Sequence, residues 1–238
     1  FKVFDMIRRG KNCFACCCEP GMMKAVMTYG ATYGEALNID IRGCYETGVR
    51  ANEVSSSTGY INALKPIEYV FSNGFDTKLN KQLGLKTGKL ADLKSFDDFY
   101  NAVIKQWENL IEITMSVSSA YEKYLSYINP SNMYSATIEG ALKKGTDAYQ
   151  NGVKFNNSAV LNCGFASLTD AVMAVKEFVY DKKEVTLETL AEALNKNWAG
   201  FEDLHTQIRK SKHKYGNDDA ETDVYTEALS AYFASKVN

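Results

Sequence analysis

No uninterrupted apolar run approaches the roughly 20 residues that a bilayer-crossing helix needs, so the sequence carries no reading as a membrane-spanning chain. No charge of one sign dominates either. The 27 basic residues nearly balance the 29 acidic ones, and such a chain generates no field that would draw it to nucleic acid or an anionic membrane surface. The first residues show no basic segment followed by an apolar core, the pattern of a secretory leader, so the expected compartment is the cytoplasm. Repeats, low-complexity tracts and a hinge-like linker are missing as well. The 238 residues are read as a single stretch of one domain, 45% hydrophobic and ordinary for a water-exposed protein.

Six cysteines are present, but not in a pattern that makes a metal site or a disulfide framework. Cys13, Cys16, Cys17 and Cys18 crowd into six residues, while Cys44 and Cys163 stand alone. A zinc ribbon needs a second C-x2-C pair, and none follows. The favoured reading is free thiols in a reducing compartment, with no bound metal. His205 and His213 lie in polar stretches near the end and read as surface residues, and Trp107 with the Phe and Tyr stripes reads as core.

What is there begins with Gly43-Cys44-Tyr45-Glu46. On an extended backbone residues i and i+2 point to the same side, so Cys44 and Glu46 are expected to face one small cavity. That pairs a potential radical or nucleophilic sulfur with a potential base. The plain alternatives are a small residue packed in a tight turn and a solvated loop carboxylate. Tyr60 and Asn156 are candidate substrate contacts; a turn explains Asn156 and Asn157 equally well.

Periodicity and punctuation place these residues. Two short helices are expected at Met22 to Tyr29 and Tyr33 to Ile39, split at Gly30. Asp40 to Thr58 is Gly-, Ser- and Asn-rich and reads as a loop that carries the motif. A helical pattern runs from Ile61 to the Asn73-Gly74 stop, with Pro66 bending it or marking its first turn. Residues 75 to 93 are a connector. Ser95 caps a long helix reaching Ile128, with Phe99, Val103, Trp107, Leu110 and Ile111 on its apolar face, and Pro130 ends it. Further helices are expected at Met133 to Leu142, at Leu168 to Val179 capped by Ser167, at Leu187 to Leu194 capped by Thr186, and at Ala220 to Val237. Val153 to Phe155 and Ala159 to Leu161 read as short barrel strands or their rims.

The order of landmarks after Cys44 carries a resemblance. Gly59-Tyr60-Ile61-Asn62, Leu64-Lys65-Pro66-Ile67-Glu68, Asn73-Gly74-Phe75-Asp76, Gln82-Leu83-Gly84, Thr87-Gly88 and Lys94-Ser95-Phe96-Asp97-Asp98-Phe99 follow in turn. Then come Ile138-Glu139-Gly140, Lys144-Gly145, Gly152-Val153-Lys154-Phe155-Asn156, Ala166-Ser167-Leu168-Thr169-Asp170 and Lys214-Tyr215-Gly216-Asn217-Asp218-Asp219. From about residue 30 onward the chain resembles the glycyl radical enzymes, the pyruvate formate-lyase-like superfamily, in the branch with a G-C-x-E finger loop at about residues 40–58.

The resemblance implies an α/β fold, part of a ten-stranded β/α barrel of the glycyl radical enzyme type in a helix-rich fragment. It implies Cys44 as the thiyl-forming residue and Glu46 as the base. The implied activity is C–O, C–N or C–S cleavage of a small-molecule substrate, a lyase or dehydratase. Tyr45 stands where pyruvate formate-lyase proper has a second cysteine, so formate acetyltransferase-like chemistry is the alternative, beside arylacetate decarboxylation and a non-catalytic truncated module. No R-V-x-G-Y-like segment occurs in these residues. The expectation is therefore a C-terminal half-barrel piece, inactive by itself, lacking the loop that bears the radical. No tightly bound cofactor is implied; the glycyl radical, outside this chain, is installed by an S-adenosylmethionine-dependent iron–sulfur activating enzyme. A full-length homodimer is the family's expected state.

Overall fold

A computed structural model describes residues 2–11, 14, 17–43 and 46–237. In chain order the elements begin with helices α1 (Lys2–Arg8), α2 (Glu19–Thr28) and α3 (Tyr33–Ala36). Strands β1 (Ile39–Arg42), β2 (Glu46–Val49) and β3 (Glu53–Asn62) precede helix α4 (Lys65–Phe71) and the short strands β4 (Phe75–Asp76) and β5 (Lys81–Gln82). The long helix α5 (Phe96–Ile128) is followed by α6 (Asn132–Ser135), α7 (Glu139–Lys144) and strand β6 (Phe155–Cys163). Helices α8 (Phe165–Val175), α9 (Leu187–Asn195), α10 (Glu202–Lys210) and α11 (Ala220–Val237) complete the chain. Among the described residues, strands pair two at a time: β1 with β2, β3 with β6, β4 with β5.

The chain forms two compact units, each built from two stretches: Phe1–Ser57 with Ala120–Ala159, and Thr58–Ser119 with Val160–Asn238. In the first unit, one apolar cluster gathers Val26, Ala31, Ala36, Val49 and Phe155, and another gathers Val54, Ile138, Ala141, Ala148 and Val153. The second unit holds the larger core, with Phe99, Val103, Trp107 and Ile111 packed among Ile67, Val70, Leu168, Val172, Leu190 and Leu229. Trp107 is fully buried and stacks on Phe233 with ring centroids 5.5 Å apart.

Local chemistry explains where the helices start. Ser95 Oγ accepts from the Asp98 backbone N–H at 3.1 Å, and the Asp98 carboxylate accepts from the Ser95 N–H at 2.9 Å, a reciprocal cap at the head of α5. Thr186 Oγ1 accepts from the Thr189 N–H and starts α9. Pro66 sits in the first turn of α4, where its missing N–H costs nothing.

Six expectations are corrected. Residues 40–58 are not an irregular loop: they contain β1, β2 and the start of β3. The second early helix stops at Ala36, and Ile39 already belongs to β1. Ile61 and Asn62 are strand, because β3 continues its pairing with β6 before α4 begins. The single helix expected at Met133 to Leu142 is two, α6 and α7. Asp147 brackets α6, accepting from the Ser131 N–H before its first turn at 2.9 Å and from the hydroxyl of its last residue, Ser135, at 3.3 Å. Finally, Ser167 is no cap; α8 starts at Phe165, and β6 runs unbroken through Asn156-Asn157 where two short pieces were expected.

Candidate active site

The candidate site is carried by the β1–β2 hairpin in the first unit. The strands are antiparallel, with Ile39 opposite Val49, Asp40 opposite Gly48, Ile41 opposite Thr47 and Arg42 opposite Glu46. That register leaves residues 43 to 45 to connect them. Gly43 has φ +63°, a left-handed conformation that costs glycine least. A side chain there would also meet Glu46, since a Cβ on Gly43 would lie 2.7 Å from Glu46 Oε2. The Glu46 carboxylate is therefore folded back against the glycine that opens the turn. Cys44 lies outside the described residues, as do Cys13 and Cys16.

Gly48 has a different reason to be glycine. The Arg42 guanidinium lies across it, and a Cβ would come within 1.6 Å of Nη2. Arg42 reaches over the neighbouring strand to Glu53: Nη2 is 3.0 Å from Glu53 Oε1, and Nη1 donates to the Glu53 carbonyl at 2.9 Å. Glu53 is only 5% exposed. Its carboxylate takes four donors. Oε2 accepts from the Tyr29 hydroxyl and the Val49 backbone N–H, each at 2.7 Å, and Oε1 accepts from Asn157 Nδ2 at 2.9 Å in addition to Arg42. A buried carboxylate is tolerable only when so satisfied. Burial first, and the adjacent Glu53 second, push the Tyr29 phenol upward, so Tyr29 stays a proton donor across the physiological range.

Asn156 is held nearby in sequence but by other partners. Its Oδ1 lies 2.8 Å from Ser56 Oγ and its Nδ2 donates to the Tyr149 carbonyl at 3.3 Å. Ser56 Oγ is also 2.9 Å from Glu122 Oε1. Tyr60 stands on the part of β3 that belongs to the second unit and is 69% exposed. Glu46 and Asn156 thus share the first unit, and Tyr60 does not. A cavity of about 650 Å³ in the second unit, lined by Leu64, Ile67, Phe71, Ala171 and Leu194 among others, contains none of the expected site residues.

Among the described residues no three His, Cys, Asp or Glu side chains gather as metal ligands, and no helix is long and apolar enough to cross a membrane. His213 is half-buried, with Nδ1 2.8 Å from Asp219 Oδ2, and His205 stacks on Trp198. Sequence reasoning passed over Arg42, Glu53 and Tyr29. In the string Ala51-Asn52-Glu53 nothing distinguishes a buried hub from a solvated loop carboxylate; only the paired strands reveal it.

Comparison with known proteins gives this arrangement its class. The family model described as pyruvate formate lyase-like matches residues 1–238. The chain belongs to the pyruvate formate lyase-like family. It is 30% identical over 213 residues to trans-4-hydroxy-L-proline dehydratase of Clostridioides difficile, which covers 89% of this chain and 27% of that protein. The crystal structure of hydroxyproline dehydratase from Clostridioides difficile, with trans-4-hydroxy-L-proline bound, superposes with a TM-score of 0.86 at 28% identity over 92% of this chain and 28% of the other. A glycyl radical enzyme from Archaeoglobus fulgidus superposes with a TM-score of 0.82 at 26% identity, again over 92% of this chain and 28% of that one. The α/β, helix-rich fold is thus that of the glycyl radical enzyme barrel, and the chain spans about a quarter of the length of these relatives.

Proposed function

We propose that this chain is the finger-loop portion of a glycyl radical lyase that removes a leaving group from a small hydroxylated substrate, with water as the favoured leaving group. The observation that supports the reading is the hairpin: β1 ends at Arg42 and β2 begins at Glu46, so its two strands flank the Gly43-Cys44-Tyr45-Glu46 motif in sequence, and the Glu46 carboxylate is folded against Gly43. The resemblance to a dehydratase over most of the chain supports water loss in particular.

In this reading a radical held on a glycine outside this chain supplies the one-electron oxidising capacity. The Cys44 thiol gives its hydrogen atom to that glycine radical, where a C–H bond forms, and the resulting sulfur radical takes one from a substrate C–H bond. S–H and activated C–H bonds are of similar strength, so the exchange is nearly thermoneutral. Glu46 accepts the proton of the substrate hydroxyl, or of an equivalent group, beside the new carbon radical. The electron-rich radical expels the neighbouring leaving group with its bonding pair, and the proton on Glu46 goes with it, as water when that group is hydroxide. The product radical recovers a hydrogen atom from Cys44, and the sulfur radical left behind takes one back from the glycine, which restores the starting radical and closes the cycle with no net oxidation. Tyr60 and Asn156 are the proposed substrate contacts. From the family resemblance, the parent is a cytoplasmic homodimer that is charged by an S-adenosylmethionine-dependent iron–sulfur activating enzyme.

The test uses the parent enzyme, activated anaerobically and incubated with trans-4-hydroxy-L-proline, a vicinal diol and pyruvate with coenzyme A. A product lighter by one water from either hydroxylated compound supports the reading. Acetyl transfer from pyruvate without any water loss overturns it in favour of formate acetyltransferase-like chemistry.

A further inference from the structure

We infer that Glu53 is a positioning residue for the reaction: through Arg42, Val49, Tyr29 and Asn157 it fixes the hairpin whose strands flank the Gly43-Cys44-Tyr45-Glu46 stretch in sequence. This rests on the assignment of Cys44 and Glu46 under Proposed function. One carboxylate, 5% exposed, joins the last residue of β1, the last residue of β2, the residue that follows α2, and β6. Both arms of the hairpin therefore end on the same buried group.

The charge matters as much as the reach. Arg42 is the residue directly opposite Glu46 in the hairpin. Its guanidinium is drawn off across Gly48 towards Glu53, where Nη2 finds an oxygen at 3.0 Å. Glu53 thus sets the path of the cation that stands across the strand pair from the proposed base. A glutamine at 53 has a similar shape but one acceptor oxygen in place of two, and a donor amide in place of a negative charge. It cannot serve two donors on each side, and it releases Arg42 from its ion pair. Displacing reacting groups by about 1 Å costs on the order of 100-fold in rate.

Glu53→Gln, Tyr29→Phe and Cys44→Ser are to be made in the activated parent enzyme. Radical content per chain is read by electron spin resonance, and kcat per radical and KM are measured on whichever substrate the parent dehydrates. Glu53→Gln is expected to keep its radical while kcat per radical falls roughly 10- to 100-fold with little change in KM. Tyr29→Phe, which deletes one of the four donors, should show a smaller loss of the same kind and keeps the test alive if Glu53→Gln fails to fold. A merely structural Glu53 predicts lowered yield and melting temperature with wild-type kcat per radical in both variants, and that result overturns the inference. Turnover by Cys44→Ser would instead remove the reading on which the inference stands, and is seen separately from it.

Discussion

Replacing Gly48 by alanine should expose how the hairpin is held. The backbone at Gly48 is not left-handed, and what the new methyl meets first is the Arg42 guanidinium, at 1.6 Å from Nη2 and 2.2 Å from Cζ. Arg42 must swing away. It then loses the 3.0 Å pair with Glu53 Oε1 and the 2.9 Å bond to the Glu53 carbonyl. Stripping a partner from a fully buried ion pair costs about 3–5 kcal/mol. Here Glu53 keeps Tyr29, Val49 and Asn157 as donors, and the Arg42 side chain, 28% exposed, regains water readily. The loss is therefore nearer that of one charged hydrogen bond, about 2 kcal/mol. It would be read as a lower urea midpoint at unchanged m. The same substitution in an Arg42→Ala background should cost little, because the obstacle is gone, and the two changes should be strongly non-additive. An equal cost in both backgrounds would refute the claim that Gly48 exists to let Arg42 pass.

Two further outcomes test the frame around the site. Ser95→Ala removes the reciprocal cap of α5 and should cost about 1 kcal/mol, seen in thermal unfolding; no measurable loss would deny the cap its role. The Leu79 backbone N–H first, then Lys65, hold the Asp76 carboxyl down at about 2, below its ordinary value. Its contribution to stability is thus complete above about pH 4 and is lost as pH falls towards 2. Asp76→Asn should flatten that part of the acid-unfolding curve, and an unchanged curve would contradict the assignment.

What was legible in the sequence is what local chemistry decides. The Ser95 and Thr186 caps and the end of α5 before Pro130 each depend on residues within a turn of one another, and each was read correctly, while of the two roles left open for Pro66 the structure shows the first-turn one. The strands from Ile39 to Asn62 were not legible. Their order depends on Glu53, whose donor Asn157 lies 104 residues away, so no window of sequence contains the interaction. The same long reach explains β6: Asn156 and Asn157 look like turn residues, yet their side chains are spent on Tyr149 and Glu53 while the backbone stays extended. Within the site, the order of landmarks pointed to Cys44 and Glu46 and to the family, whereas the side chains that brace the hairpin became visible only in the folded chain.

The most direct measurement of the central claim is a paired reading of radical and turnover in Cys44→Ser and Glu46→Gln, made in the intact, activated parent enzyme. Oxygen-centred radicals at serine are far harder to generate than thiyl radicals. Cys44→Ser should therefore show a normal glycyl radical signal and no product. Glu46→Gln should keep the signal and lose roughly 10²- to 10⁴-fold in rate, the worth of a general base. A full radical signal with near-wild-type turnover in either variant would contradict the role given to that residue.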